Sequence, residues 1–97
     1  MLSANYSRLL IDLNRPLHVA DSIPAQSEIY QIPGNQSLDD ATRAYRQQCL
    51  YHPFHDQLRA LIDRRLADNR TVRVVGIHSF TPVFYGQPRA LEAGVLF

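Results

Sequence analysis

Residues 74–89 read VVGIHSFTPVFYGQPR, and this stretch decides the fold that the sequence predicts. Its first half is apolar and rich in β-branched residues, as in a strand that is buried on both faces of a sheet. His78, Ser79 and Thr81 appear where the apolar run ends. Ligands of open α/β sheets bind at the carboxyl ends of the strands. The stretch therefore predicts a buried strand over 71–78 that carries a functional residue, His78, at its carboxyl end.

Two further strands are predicted on either side of this one. Residues 7–13 alternate in polarity, with leucine or isoleucine at 9, 11 and 13 on one face, and Pro16 ends the strand because proline removes a backbone donor. A loop without periodicity follows over 17–36. At the other end of the chain, residues 94–97 read GVLF and predict the beginning of another strand.

Two helices are predicted between the strands. Ser37 is a candidate cap of the first helix, which should end near residue 50 because Pro53 disfavours helical geometry at His52. Pro53 suits the first turn of the second helix. The buried face of the first helix is predicted from four residues at helical spacing: Leu38, Ala41, Tyr45 and Cys49. The face of the second helix is predicted in the same way: Phe54, Leu58, Leu61, Ile62 and Leu66.

The order of strand, two helices and strand predicts a single α/β domain over residues 1–97, a partial sheet with a right-handed two-helix crossover between parallel strands. A domain of this size buries only roughly 60–65% of its unfolded surface. The strand at 72–77 needs a cover on both faces, and one pair of helices supplies only one. We therefore expect either further structure from a larger domain or a homo-oligomer.

The composition excludes several classes of protein. The chain has 97 residues, of which 45% are hydrophobic and 20% charged, and no apolar run approaches a membrane span. Its net charge is +1, and the arginines are interleaved with aspartates, which argues against nucleic acid as a partner. The single cysteine, Cys49, falls on the predicted apolar stripe and is compatible with a reducing compartment. With no secretory signal at the N-terminus, the sequence predicts a cytoplasmic protein.

Five short sequence motifs resemble those of the N-formylglutamate amidohydrolase family, a branch of the zinc carboxypeptidase and aspartoacylase group of hydrolases. The motifs are SRLLIDLNRP at 7–16, IPGN at 32–35, YHPFH at 51–55, HSFTP at 78–82 and YGQPR at 85–89. They occur in the order of the family and span nearly the whole chain. The resemblance covers only the middle of such an enzyme, so the chain is expected to be a segment of a larger hydrolase domain with a three-layer fold.

The resemblance implies roles for particular residues. His78 matches the last zinc-binding histidine of the carboxypeptidase-like group, and Asn14 and Arg15 match the pair that holds the substrate carboxylate. From the residues alone, His78 also fits the more common interpretation of a hydrogen-bonded histidine beside a sheet, and Asn14 and Arg15 that of a solvated turn. Arg8 is a candidate catalytic residue that polarises the scissile carbonyl, and Arg89 a candidate substrate-binding residue in a loop.

The YHPFH motif has two interpretations. His52 and His55 lie three residues apart, a spacing at which two histidines on one helical face can bind a metal. Pro53 interrupts the geometry between them, however. We therefore expect a helix junction in which one of the two histidines bonds a backbone carbonyl.

The reaction implied by the resemblance is hydrolysis of N-formylglutamate to formate and glutamate, as in histidine degradation. A zinc-polarised water would attack the formyl carbonyl, with a glutamate as general base. Two zinc ligands and this base belong to other parts of the family's sequence, so we expect the isolated chain to be inactive. The alternative function is that of a non-catalytic, truncated paralogue, which acts as a small self-associating or binding α/β protein.

Overall fold

A computed structural model describes residues 1–95 of the chain, so the last two residues of the predicted strand at 94–97 lie outside the described part. The main element is a continuous helical stretch with three parts: α1 spans Asp40–Arg46, a π turn spans Gln47–Tyr51, and α2 spans His52–Ala67. Its N-cap is Asp39, whose Oδ1 accepts a hydrogen bond from the Thr42 amide at 2.6 Å. Ser37, the predicted cap, lies outside the helix.

The π turn explains why the two predicted helices form one. Proline in a helix interior has no N–H to donate, and its ring crowds the carbonyl four residues earlier. Here the backbone widens just before Pro53, and the His52 amide donates to the Gln47 carbonyl, five residues back. A π turn of this kind accommodates the proline without ending the helix. The predicted break near residue 50 is therefore wrong.

The helix buries one predicted face and not the other. Phe54, Leu58, Leu61 and Ile62 of α2 are half-buried as predicted, whereas Leu66 is exposed. The predicted stripe of α1 is wrong, because Ala41, Tyr45 and Cys49 are exposed. The inward face of α1 is instead the one that carries Arg46. Its guanidinium donates to the Leu10 and Gly34 carbonyls, and these bonds fix the rotation of the helix.

Residues 7–15 form two successive turns, so the predicted strand over 7–13 is wrong. The Leu10 amide donates to the Ser7 carbonyl at 3.0 Å, and the Arg15 amide donates to the Asp12 carbonyl at 3.1 Å. The side chains of Ser7 and Asp12 accept further bonds from the Leu9 and Asn14 amides. Serine and aspartate side chains that bond nearby amides favour turns over strands.

The strands of the described residues form two short antiparallel hairpins. In the first, β1 (Gln26–Ser27) pairs with β2 (Tyr30–Gln31), and in the second, β3 (Val83–Phe84) pairs with β4 (Gln87–Pro88). The second hairpin turns through Tyr85 and Gly86, which both have positive φ, at 47° and 76°. The fold is thus a small mixed α/β arrangement with one main helix. The predicted crossover between parallel strands is not present in residues 1–95.

The segment 71–81 differs most from its prediction. It contains no regular element and pairs with no strand in the part that the structure describes. The exposed fractions of Val74, Val75 and Ile77 are 62%, 80% and 89%. A β-branched run forms a strand only where a partner strand takes its backbone hydrogen bonds. The predicted burial of this segment on both faces is therefore wrong for this structure.

A small core lies between the N-terminal turns and the loop that follows them. Ile11 and Ile23 are its buried apolar residues, and Ser22, Asp12 and Asn35 are its buried polar ones. The two halves of this core are joined by a bond of 2.7 Å from the Asp12 amide to the Ser22 carbonyl. Within residues 1–95, no helix has both the length and the apolar character needed to cross a membrane.

Candidate functional site

A cleft of about 450 Å³ lies between the N-terminal turns, α2 and the segment 74–78. Three of the five predicted site residues line it: Arg8, Asn14 and His78. Asp12 and His55 line it as well. Apolar side chains, Leu58 and Val74 among them, form the rest of its wall. The structure thus brings the SRLLIDLNRP motif at 7–16 and the HSFTP motif at 78–82 together, although more than 60 residues separate Asn14 from His78 in sequence.

Asp12 organises the polar side of this cleft. Its buried carboxylate lies 3.3 Å from the Arg8 guanidinium and 4.0 Å from Arg15 Nε, and it accepts a hydrogen bond of 2.9 Å from the Asn14 amide. One carboxylate therefore serves two arginines. The group keeps one net positive charge beside the cleft, which favours an anionic ligand.

Arg8 and Arg15 themselves remain accessible. Their side chains are 68% and 49% exposed, so their ion pairs with Asp12 are screened by water and weak enough to rearrange around a ligand. Arg15 does not line the cleft, but its Nε lies 4.0 Å from the carboxylate that also pairs with Arg8. Asp12 was not predicted as a site residue. The sequence does show that Asp12 lies four residues after Arg8 and three residues before Arg15, and this spacing could have identified it.

His55 makes a hydrogen bond with a backbone carbonyl, as one interpretation of the YHPFH motif predicted. Its Nε2 lies 2.9 Å from the carbonyl oxygen of Leu13. The ring packs on Tyr51, with 4.3 Å between ring centroids, and meets the edge of Phe54. His52 is exposed. With Nε2 engaged in this contact, Nδ1 is the ring nitrogen of His55 that is left for another partner.

His78 is exposed, and its ring folds back over Gly76. A Cβ atom at Gly76 would lie 3.2 Å from His78 Nε2, so the absence of a side chain there leaves room for the imidazole. No group of three or more His, Cys, Asp or Glu side chains in residues 1–95 is arranged to hold a metal ion. These residues therefore do not by themselves fit a catalytic zinc, which usually takes three protein ligands.

Arg89 lies on the second hairpin and does not line the cleft. Its guanidinium stacks over Phe84, 4.2 Å from the ring centroid, and its amide donates to the Pro82 carbonyl. Thr81 links this hairpin to the first one through a hydrogen bond of 2.9 Å from its hydroxyl to Glu28 Oε1. Arg89 is thus placed as a hairpin residue with a cation–π contact.

Asn35 is a buried structural residue that the sequence prediction missed. Its amide nitrogen donates to the carbonyls of Leu9 and Pro24, each at 2.7 Å, and its amide oxygen accepts from Arg46 at 2.6 Å. Asn35 therefore holds the N-terminal turns against α1. The only indication of this role in the sequence was the position of Asn35 in the IPGN motif.

Two comparisons with known proteins found a match, one with a solved structure and one with a family model. The structure is similar to the crystal structure of a gene product from Agrobacterium tumefaciens, with a TM-score of 0.81 and 51% sequence identity. The match covers 87% of this chain and 33% of that one, so the chain spans about a third of the length of that relative. A search of curated proteins found no significant match. The family model described as N-formylglutamate amidohydrolase matches residues 1–96, and the chain therefore belongs to the N-formylglutamate amidohydrolase family.

Proposed function

We propose that this chain contributes substrate-binding residues and one metal ligand to a zinc-dependent amidohydrolase that converts N-formylglutamate and water to formate and glutamate. The observation that carries the proposal is the cleft, which gathers Arg8, Asn14 and His78 in a chain of this family. In this proposal the enzyme acts on a small N-acyl amino acid, in histidine degradation and in the cytoplasm.

The charge beside the cleft supports binding of a carboxylate. Arginine grips a carboxylate with two parallel hydrogen bonds, and Arg8 and Arg15 both lie near the carboxylate of Asp12, a residue of the cleft wall. Asn14 adds an amide at the cleft wall, and the apolar wall accommodates the methylene groups of a glutamate. In the proposed roles, Asn14 and Arg15 hold the substrate carboxylate and Arg8 polarises the scissile carbonyl.

His78 supplies one zinc ligand in this proposal. The other two ligands and the general base come from the parts of the family's sequence that this chain does not match. Zinc would supply a polarised water to the reaction when bound. We therefore expect the chain by itself to bind zinc weakly and to release no formate.

The first experiment measures zinc content by plasma emission spectrometry on protein purified without added metal, and then formate release from N-formylglutamate. We expect substoichiometric zinc and no turnover from the chain alone. Stoichiometric zinc with turnover would show that the chain completes the site itself, and the proposed dependence on further ligands would be wrong.

Arg15→Ala tests carboxylate binding without requiring turnover. Hydrogen bonds to charged groups contribute about 1.5–3 kcal/mol, so loss of Arg15 should weaken binding of N-formylglutamate at least tenfold. Arg15→Lys should restore only part of it, since lysine lacks the planar fork. NMR titration of the chain measures the affinity.

Arg59→Ala is the matched control for this measurement, because Arg59 is exposed on α2 and does not line the cleft. It should bind as the unsubstituted chain does. Equal affinities for Arg15→Ala and Arg59→Ala would refute the carboxylate-binding role.

A second candidate function is that of a small self-associating protein without catalysis. The exposed apolar side chains of Val74, Val75 and Ile77 favour it. The titration separates the two candidates, since self-association alone requires no affinity for N-formylglutamate.

A further inference from the structure

We infer that His55 is a positioning residue that holds the backbone of residues 12–15 in the conformation that binds the substrate carboxylate. The inference rests on the proposed function, because it concerns the same segment. His55 lies on α2, and its contact with Leu13 joins positions 42 apart in sequence.

The chemistry of this contact defines its direction. A backbone carbonyl only accepts hydrogen bonds, so His55 must carry a proton on Nε2 and donate it to the Leu13 oxygen over 2.9 Å. Leu13 lies between Asp12 and Asn14. The bond therefore restrains the peptide group that leads into Asn14.

The His55 ring is itself held in place. Tyr51 lies one turn earlier on the helix and packs against the ring at a centroid distance of 4.3 Å and an interplanar angle of 35°. Phe54 meets the ring edge-on at 5.5 Å. The ring is half-buried, so few other orientations are open to it. A donor fixed by aromatic packing on a helix is more rigid than one on a loop.

Other restraints on residues 12–15 come from the turn and its loop. The Asn14 amide bonds the Asp12 carboxylate, the Arg15 amide bonds the Asp12 carbonyl, and the Asp12 amide bonds the Ser22 carbonyl. These bonds define the shape of the turn. The His55 bond adds the position of the turn relative to α2, which also contributes residues to the cleft wall.

Three variants test this role: His55→Phe keeps a ring and loses the donor, His55→Gln keeps a donor, and His52→Phe replaces the exposed neighbouring histidine. We expect His55→Phe to shift the NMR amide signals of Asn14 and Arg15, to speed their hydrogen exchange and to weaken N-formylglutamate binding at least tenfold. His55→Gln should recover most of the affinity. His52→Phe should match the unsubstituted chain.

Unchanged Asn14 and Arg15 signals in His55→Phe would overturn the inference, whether or not the chain binds the ligand. Failure of the unsubstituted chain to bind N-formylglutamate, with the signals still shifting in His55→Phe, would refute the proposed function and the binding role of His55. If His55→Phe unfolds, His55→Gln carries the test. A folded His55→Gln that binds at least tenfold more weakly, with unshifted Asn14 signals, overturns the inference.

Discussion

Individual buried polar side chains determine the conformation of the N-terminal third of this chain. Asp12 turns the backbone around its own carboxylate, and Asn35 satisfies two carbonyls that the turns leave without partners. An alternating pattern of leucine and isoleucine does not reveal such contacts. The strand prediction for 7–13 failed for this reason, although Ile11, which it placed on the apolar face, is buried in the structure.

Asn35→Ala should destabilise the protein by about 2–4 kcal/mol, because it leaves the carbonyls of Leu9 and Pro24 unsatisfied and removes an acceptor from Arg46. That is a large share of the stability of a domain of this size. Urea denaturation followed by circular dichroism measures the loss. Asn5→Ala, at an exposed position, is the control, and an equal effect of both substitutions would contradict the role of Asn35.

For the candidate site, the sequence could predict which residues lie near one another, but not the contacts that each side chain makes. The resemblance implied that Arg8, Asn14 and His78 act together, and the structure places them on one cleft, although their roles stay predictions. Arg89 was assigned to the same site because arginines bind carboxylates. Its stacking on Phe84 depends on the conformation of a hairpin that the sequence analysis treated as a loop.

At the scale of elements, the long helix was the best predicted part of the fold. The apolar spacing from Phe54 to Ile62 gave the correct face of α2, because helical periodicity is a local property. The cap was misplaced by two residues, and the junction at Pro53 was predicted as a break. Both errors concern backbone hydrogen bonds that several neighbouring residues can make.

The Asp39 cap gives the helix a pH dependence. Hydrogen bonds from the Thr42 hydroxyl and amide hold the pKa of the Asp39 carboxyl below its ordinary value of 3.8. Because the pKa is lower in the folded state, this contact stabilises the helix fully above that ordinary value and is lost as the pH falls through the folded pKa. Asp39→Asn keeps a capping oxygen that does not titrate.

Thermal melting between about pH 5 and pH 2 compares the two proteins. We expect the melting temperature of the unsubstituted chain to fall more steeply over this range than that of Asp39→Asn. Asp63→Asn, on the exposed face of α2, should follow the unsubstituted chain. Parallel curves for all three proteins would contradict the contribution of the cap.

At the scale of the whole molecule, the segment 74–77 is the largest departure from the predicted α/β sheet. Its β-branched residues carry the strand signal correctly, but a strand also needs neighbours, and pairing partners cannot be read from a local pattern. The match covers only 33% of the relative from Agrobacterium tumefaciens, so it compares this chain with part of a longer protein.

The exposed segment should make the chain associate with itself. An extended apolar segment with unpaired backbone groups is a template for intermolecular strand pairing. We expect sedimentation equilibrium to show dimers or larger species whose fraction rises with protein concentration. Val75→Lys should shift the chain toward monomer, because a lysine on an exposed edge disfavours pairing.

Val95→Lys serves as the comparison for this substitution, since Val95 is equally exposed and lies outside the segment. It should leave the association unchanged. A strictly monomeric chain at several hundred micromolar would show that the exposed segment does not drive self-association.

The π turn at Gln47–Tyr51 has a consequence for insertions and deletions. Such a turn absorbs one extra residue within an α-helix, because its wider winding keeps the turns on either side in alignment. Deleting one residue at 47–50 would therefore restore regular winding and leave His55 on the same face of α2, but it would bring the Pro53 ring against the carbonyl four residues earlier. Natural relatives with a one-residue gap in this stretch are expected to have lost the proline as well.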